Sequence, residues 1–125
     1  MDKNQTIHAF WSSFGLKAYE ENAVPTGRDA PPFPYITYTA PTDSFGYDVL
    51  ITASVWYRDS SWQDVVRKVQ EISETVGYGG VVVGFDGGRI WLRRGHPFSN
   101  RMGDPSDDQI KRINLNLDAE FISAE

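Results

Sequence analysis

Between residues 46 and 77 the hydrophobic positions first alternate and then, at Asp59, switch to a spacing of about 3.6. Tyr47, Val49, Ile51, Ala53, Val55 and Tyr57 share one side of an extended chain, because successive side chains of a strand point to opposite faces. Leu50, Thr52, Ser54 and Trp56 make a mixed second side, which suits solvent or a partner better than a full core. Past Asp59, Trp62, Val65, Val66, Val69, Ile72 and Val76 form a stripe opposed by charged and amide side chains, which predicts an amphipathic helix. Ser60 or Ser61 can cap it, Ser60 with Gln63 at capping-box spacing, and Gly77 ends it. Asp64 with Lys68, and Arg67 with Glu71, are opposite charges four apart, worth about 0.2–0.5 kcal/mol each.

The same patterns place the other elements around this strand-to-helix unit. Ile7, Phe10, Trp11 and Phe14 recur at helical spacing, so an amphipathic helix is expected near the start, ended by Gly15. Residues 16–24 read as a short extended segment. Residues 25–34, Pro-Thr-Gly-Arg-Asp-Ala-Pro-Pro-Phe-Pro, can enter neither a helix nor a full ladder and predict a long, stiff loop tipped by Phe33. Phe33 either packs on the chain's own core or waits for a partner. Tyr35, Thr37 and Thr39 alternate with Ile36 and Tyr38, giving a hairpin partner for the central strand through Pro41-Thr42-Asp43-Ser44. Val81–Phe85 and Arg89–Arg94 flank Asp86-Gly87-Gly88 as a second hairpin, turning at Asp86-Gly87 or Gly87-Gly88, with Val81, Val83 and Phe85 on the side of Ile90 and Leu92. Residues 95–109 are polar and read as a second long loop. Strict alternation from Ile113 to Phe121 predicts a last strand with one buried face. The resulting fold class is α+β: a mainly antiparallel sheet of four to five strands with two helices on one face, in one domain spanning residues 1–125.

Charge and composition narrow the function. Twelve Lys and Arg against 17 Asp and Glu leave a net charge of -5, a field that opposes sequence-specific nucleic-acid binding. No cysteine is present, which removes disulfides, thiolate metal sites and a cysteine nucleophile. No run of about 18 apolar residues appears and no basic segment leads into an apolar one at the N-terminus, so neither a membrane span nor a secretory signal is expected. Aromatics make up 14% of the chain, and such side chains are enriched at interfaces.

Candidate chemistry is sparse. His8 lies off the first helical stripe and has no second ligand at i+4, so it reads as a surface histidine. The Gly-rich turn near Gly87 lacks both dinucleotide and phosphate-loop spacings. Asp104, Asp107 and Asp108 lack the alternating ligands and terminal Glu of a calcium loop. No catalytic, cofactor or metal residue is assigned. The alternative is a small ligand-binding or enzymatic α+β domain with a site between residues 25–34 and 95–109, whose polar groups are His96, Arg101 and Asp104.

The stretch from Val24-Pro25 to Phe33-Pro34-Tyr35-Ile36-Thr37-Tyr38, the corner Tyr57-Arg58-Asp59-Ser60-Ser61-Trp62 and the late Gly-rich hairpin resemble small phage and prophage proteins of the tail-terminator, or tail-completion, minor tail protein family. That resemblance implies a structural, non-enzymatic subunit that caps the tail tube and joins tail to head as a ring of identical copies, usually six. It implies a place in the virion after synthesis in the bacterial host cytoplasm, with tail-tube and head–tail connector proteins as partners. No cofactor and no membrane are implied. Interface candidates are Arg28 and Phe33 in the first loop, and Arg93, Arg94, His96, Phe98 and Arg101 in and before the second.

Overall fold

The computed structural model describes residues 1–39 and 48–123. The expected turn at residues 41–44 and the strand position of Tyr47 lie outside these. Helix α1 spans Lys3–Ser12 and starts in a capping box: Asp2 accepts from the Gln5 amide while the Gln5 side chain accepts from the Asp2 amide. Its buried side chains are Thr6, Ile7, Phe10 and Trp11, and Phe14 follows just past its end. Strands β1 (Lys17–Glu20) and β2 (Tyr35–Tyr38) enclose the long loop, which contains short 3-10 turns at Glu21–Ala23 and Gly27–Asp29. Strand β3 (Asp48–Arg58) leads into α2 (Gln63–Val76), as the change of period at Asp59 predicts. Strands β4 (Val81–Phe85), β5 (Gly88–Gly103) and β6 (Ile110–Ser123) complete the fold.

The sheet has six strands in the order β1-β2-β3-β6-β5-β4, one or two more than expected. It is mixed, since β1 and β2 run parallel while the other neighbours are antiparallel. The extra strand is β1, which falls within the short extended segment expected at residues 16–24. The hairpin between β2 and β3 forms, and the second hairpin turns at Asp86-Gly87, with Phe85 opposite Gly88 and Gly87 at φ 94°.

Residues 95–109 differ most from expectation. Strand β5 continues through residue 103, with an irregularity between Arg94 and Ser99 where the chain bulges, so only residues 104–109 form a loop. Gly95 sits in that bulge against β6, where a Cβ would come 2.9 Å from the Asn116 carbonyl oxygen. The cause is non-local: β6 offers a ladder of partners to residues 99–103 although their own side chains do not alternate.

Both helices pack against one face. The core joins Ile36, Ile51, Val55, Ile90, Leu92, Leu115 and Leu117 of the sheet to Ile7, Trp11, Val65 and Ile72 of the helices. Helix α2 lies against β3, β6 and β5, whereas α1 touches β1 and β4, the two ends of the strand order. Five inter-strand spacings of about 4.8 Å would separate those ends by about 24 Å in a flat sheet, while ten helical residues extend only about 15 Å. The sheet therefore curls until one short helix meets both edges. Thr6 Oγ1 donates to the Gly84 carbonyl at 3.0 Å and the Asp86 amide donates to the Met1 carbonyl at 2.7 Å, fixing α1 to β4.

At the β3–α2 corner, Asp59 accepts from the amides of Ser60 and Ser61, and the Ser61 hydroxyl accepts from the Gln63 amide. The N-cap residue is therefore Trp62, with no side-chain cap hydrogen bond; Ser61 meets only the first helical amide, and the expected Ser60–Gln63 box is not formed. The helix charges pair at i, i+3, Arg67 with Asp64 and Lys68 with Glu71, because Lys68 Nζ is also drawn to the Phe14 carbonyl at 2.7 Å.

Trp11 is fully buried between Phe10 and Phe14, and its indole N–H has no partner among the described residues. Trp11→Ala is expected to cost about 3–5 kcal/mol of folding stability by the usual cost of a large core deletion. Trp11→Phe is expected to cost clearly less, since it keeps a ring and removes the orphaned donor; chemical denaturation of both variants checks the order.

Candidate functional site

The face of the sheet turned away from the helices has no covering element among the described residues, and it carries the distinctive surface chemistry. Across it runs a row of rings set by the strand register Lys17↔Tyr35↔Trp56↔Arg112. Tyr35 and Trp56 are stacked, with centroids 6.0 Å apart and planes at 15°, and the Arg112 guanidinium lies 4.5 Å from the Trp56 ring centre. Tyr19 meets Tyr35 edge-on, and Phe33 joins the row beside Tyr35 at 5.2 Å.

Polar side chains lock the row in place. Trp56 Nε1 donates to Thr37 Oγ1 at 2.9 Å, and Arg112 Nε donates to Ser54 Oγ at 3.0 Å. Ser54, only 3% exposed, spends its own proton on Asn114 Oδ1. Burial pushes the Tyr35 hydroxyl above its ordinary pKa, against the opposing pull of Arg112. Thr52, Ser54, Trp56, Asn114, Asn116 and Asp118 share this uncovered face, as the alternation predicts. Leu50, Val82, Met102 and Ile122 are exposed on it as well, at 62%, 52%, 41% and 44%. These four stand singly at different points of the face, and Met1 and Tyr78 are exposed elsewhere.

Two depressions bear on the choice between enzyme and assembly subunit. A groove of about 170 Å³ lies beside the ring row, between Trp56, Ile110 and Arg112 on one side and residues 102–105 on the other. Asp104 in its wall accepts from both the hydroxyl and the amide of Ser106, which hold its carboxyl below the usual carboxylate range. A larger open cleft of about 540 Å³ follows the seam between α1 and β1. His8 sits there at 2.8 Å from the Tyr38 hydroxyl and 3.3 Å from Ser12 Oγ. This histidine–serine pair has a tyrosine, not a carboxylate, behind the imidazole, so it lacks the orienting acid of a hydrolytic triad. Among the described residues no group of three or more His, Asp or Glu could hold a metal ion. No helix among them is long and apolar enough to cross a membrane.

The structure does not bring the sequence-predicted candidates together. Arg28 is exposed in the first loop, and Phe33 lies on the ring row, outside the core cluster. Arg93 lies on the uncovered face over Trp91, 3.8 Å from Glu120. Arg94 points to the helix side, where Nη2 donates to the Ser73 carbonyl at 2.7 Å near the end of α2, a favourable place for a cation. Phe98 packs against the core. His96 is exposed in the bulge, and Arg101 lies 5.2 Å from the Trp62 ring on the helix side. No hydrogen bond or ion pair links His96, Arg101 and Asp104 among the described residues. The sequence reading missed Arg112, one residue before the alternation of β6 becomes apolar, because only the strand register sets it opposite Trp56.

Fold and site together define a class: an α+β protein with a curled, mixed six-stranded sheet, one face filled by helices and the other left uncovered among the described residues. The same fold occurs in a chain of the virion of a native gene transfer agent (GTA) particle, with a TM-score of 0.58 and 19% sequence identity over 95% of this chain and 90% of that one. No protein-family model matches the chain, and no curated protein matches it in sequence.

Because Phe33 contacts the ring row rather than the core, Phe33→Ala is expected to cost about 1 kcal/mol or less of stability, the worth of one aromatic pair. Ile36→Ala, three residues on and fully buried, is expected to cost about 2–5 kcal/mol. Thermal melts of the two variants test the placement.

Proposed function

We propose that this chain is a structural subunit of a phage-like particle, and specifically a tail terminator that caps the tail tube and joins tail to head as a ring of identical copies, with six as the expected number. The observation that carries the reading is the fold shared along nearly the whole chain with a component of a gene transfer agent virion. The resemblance of residues 24–38 and 57–62 and of the Gly-rich hairpin to tail-terminator proteins supports the narrower assignment. Residues 1–125 act as one domain in this reading. Its partners are further copies of itself, the tail-tube protein and the head–tail connector proteins, and its place is the virion after synthesis in the host cytoplasm.

Physical features support the role. A ring subunit needs two different patches that meet head to tail. The exposed loop at 25–34 and the open sheet face are two such patches. A net charge of -5 opposes adhesion to a DNA backbone passing nearby, and it fits neither sequence-specific nucleic-acid binding nor an anionic membrane surface. The competing ligand-binding or enzymatic reading has no convergent polar groups to support it between residues 25–34 and 95–109, and His96→Ala and His8→Ala are expected to leave assembly intact.

Particles purified from a producing strain, with and without the gene, test the reading. The protein is expected at the junction of tail and head, and its deletion is expected to leave unjoined tails and heads under the electron microscope. Normal, joined particles from the deletion strain would overturn the terminator role. Phe33→Ala is expected to weaken assembly by about 2 kcal/mol or more, as an interface anchor does, with little change in subunit melting.

A further inference from the structure

The groove beside Arg112 presents a half-buried, fixed cation. Among the described residues no Asp or Glu pairs with Arg112, although its guanidinium is immobilised by the Trp56 ring and by Ser54. Nε is used on Ser54, which leaves the two terminal nitrogens as a fork, and a fixed guanidinium fork recognises a carboxylate in two parallel hydrogen bonds. The nearest acid of the groove wall, Asp104, is already committed to Ser106. The rest of the wall is apolar or aromatic, with Met102 at 41% exposure beside Trp56 and Ile110. At about 170 Å³ the groove is smaller than the roughly 300–1,000 Å³ of sites for whole small molecules, and it matches a short stretch of chain.

The chain itself carries a segment with that chemistry. In the exposed loop, Asp29 has no side-chain partner among the described residues and is followed by Ala30-Pro31-Pro32. Consecutive prolines hold an extended, pre-ordered backbone, the kind of segment that aromatic-lined grooves accept at small entropic cost. Charge complementarity selects the same partner. The uncovered face bears Lys17, Arg58, Arg89, Arg93 and Arg112 against Asp118, Glu120 and, at its margin, Glu21 among the described side chains, with Arg58 paired to Asp107 and Arg93 to Glu120, in a chain of net charge -5. The remainder of a second copy is therefore net acidic, although Asp29 itself stands beside Arg28.

We propose that residues 29–32 of one copy dock in the Arg112 groove of a neighbouring copy, with the Asp29 carboxylate on the Arg112 fork and the prolines against Trp56 and Met102. The contact joins a loop of one copy to a groove of the next, two different patches, so it can propagate from copy to copy and close a ring. It rests on the reading of the chain as a self-assembling subunit and adds to it which surfaces meet.

Because the chain has no cysteine, Ala30→Cys combined with Met102→Cys reports this contact directly. Mild oxidation of the double variant is expected to give a ladder of dimers and higher multimers on a non-reducing gel, while either single variant stops at dimers. Adding Arg112→Glu is expected to abolish the ladder, and adding Asp29→Arg to that variant to restore it; Arg112→Gln replaces the charge reversal if the latter fails to fold. An internally linked monomer, unlinked thiols, or a ladder indifferent to both Arg112 variants would overturn the proposal. Failure here with the protein present in particles removes this contact and leaves the assembly role. A ladder from a chain absent from particles does the reverse.

Discussion

One short helix touching both ends of a six-stranded sheet is the constraint on which this structure depends. Helix α1 cannot reach β1 and β4 unless the sheet curls, and the curl makes a trough whose floor is lined by Ile51, Leu115, Leu117 and Leu92. The aromatic stripe of α1, with Trp11 fully buried, fills one part of that trough, and α2 fills another. Lys68 ties the two together by donating to the carbonyl of Phe14, two residues past the end of α1. The same arrangement protects the sheet edge that most needs protection. Strand β4, Val-Val-Val-Gly-Phe, carries no charge or proline to discourage edge pairing, and the start of α1 covers its Gly84–Asp86 end through Thr6 and Met1.

With both helices spent on one side, the other face must be stable in water by its own means. Cross-strand pairs supply this, since residues directly opposite each other on neighbouring strands interact at close range. The Thr37–Trp56 and Ser54–Asn114 hydrogen bonds and the Tyr35–Trp56 stack are all cross-strand contacts. Trp56 illustrates what such a face can do. One side of its ring is taken by Tyr35 and the ring is also contacted by Arg112, so it cannot serve as an open platform for a nucleic-acid base. What remains available is its edge, together with exposed aliphatic side chains and arginines, a composition suited to another protein surface.

Much of this was legible in the sequence because local pattern and tertiary environment agreed. The strand-to-helix corner at Asp59, the β4–β5 hairpin and the alternation of β6 each bury one face of a long element, so periodicity recorded the core directly. Strand β1 was legible only as a short extended segment; its place in the sheet was not, because its partner β2 runs parallel to it across the long loop. The Arg67 and Lys68 pairings were misread because a carbonyl on another element competes for Lys68. Among the candidate contact residues, Phe33 lies on the ring row outside the core cluster, whereas Arg94 and Phe98 pack on the helix side. Arg112 escaped notice because its importance comes from Ser54 and Trp56, more than fifty residues earlier in the chain.

The second half of β5 shows how far such non-local causes reach. Residues 99–103 have no hydrophobic alternation because they run past the ground covered by α2, and with little core beneath them their side chains are free to be polar. Their backbone is nevertheless held by β6, after a bulge in which Gly95 lets the strand pass close to Asn116. That extension places Met102 opposite Arg112 and brings Gly103 and Asp104 to the rim of the groove. A polar stretch that looks like a loop in sequence therefore builds one wall of the candidate contact site as a strand. The groove exists because the ladder outlasts the core, and its chemistry is set by what a sheet can display once no helix covers it.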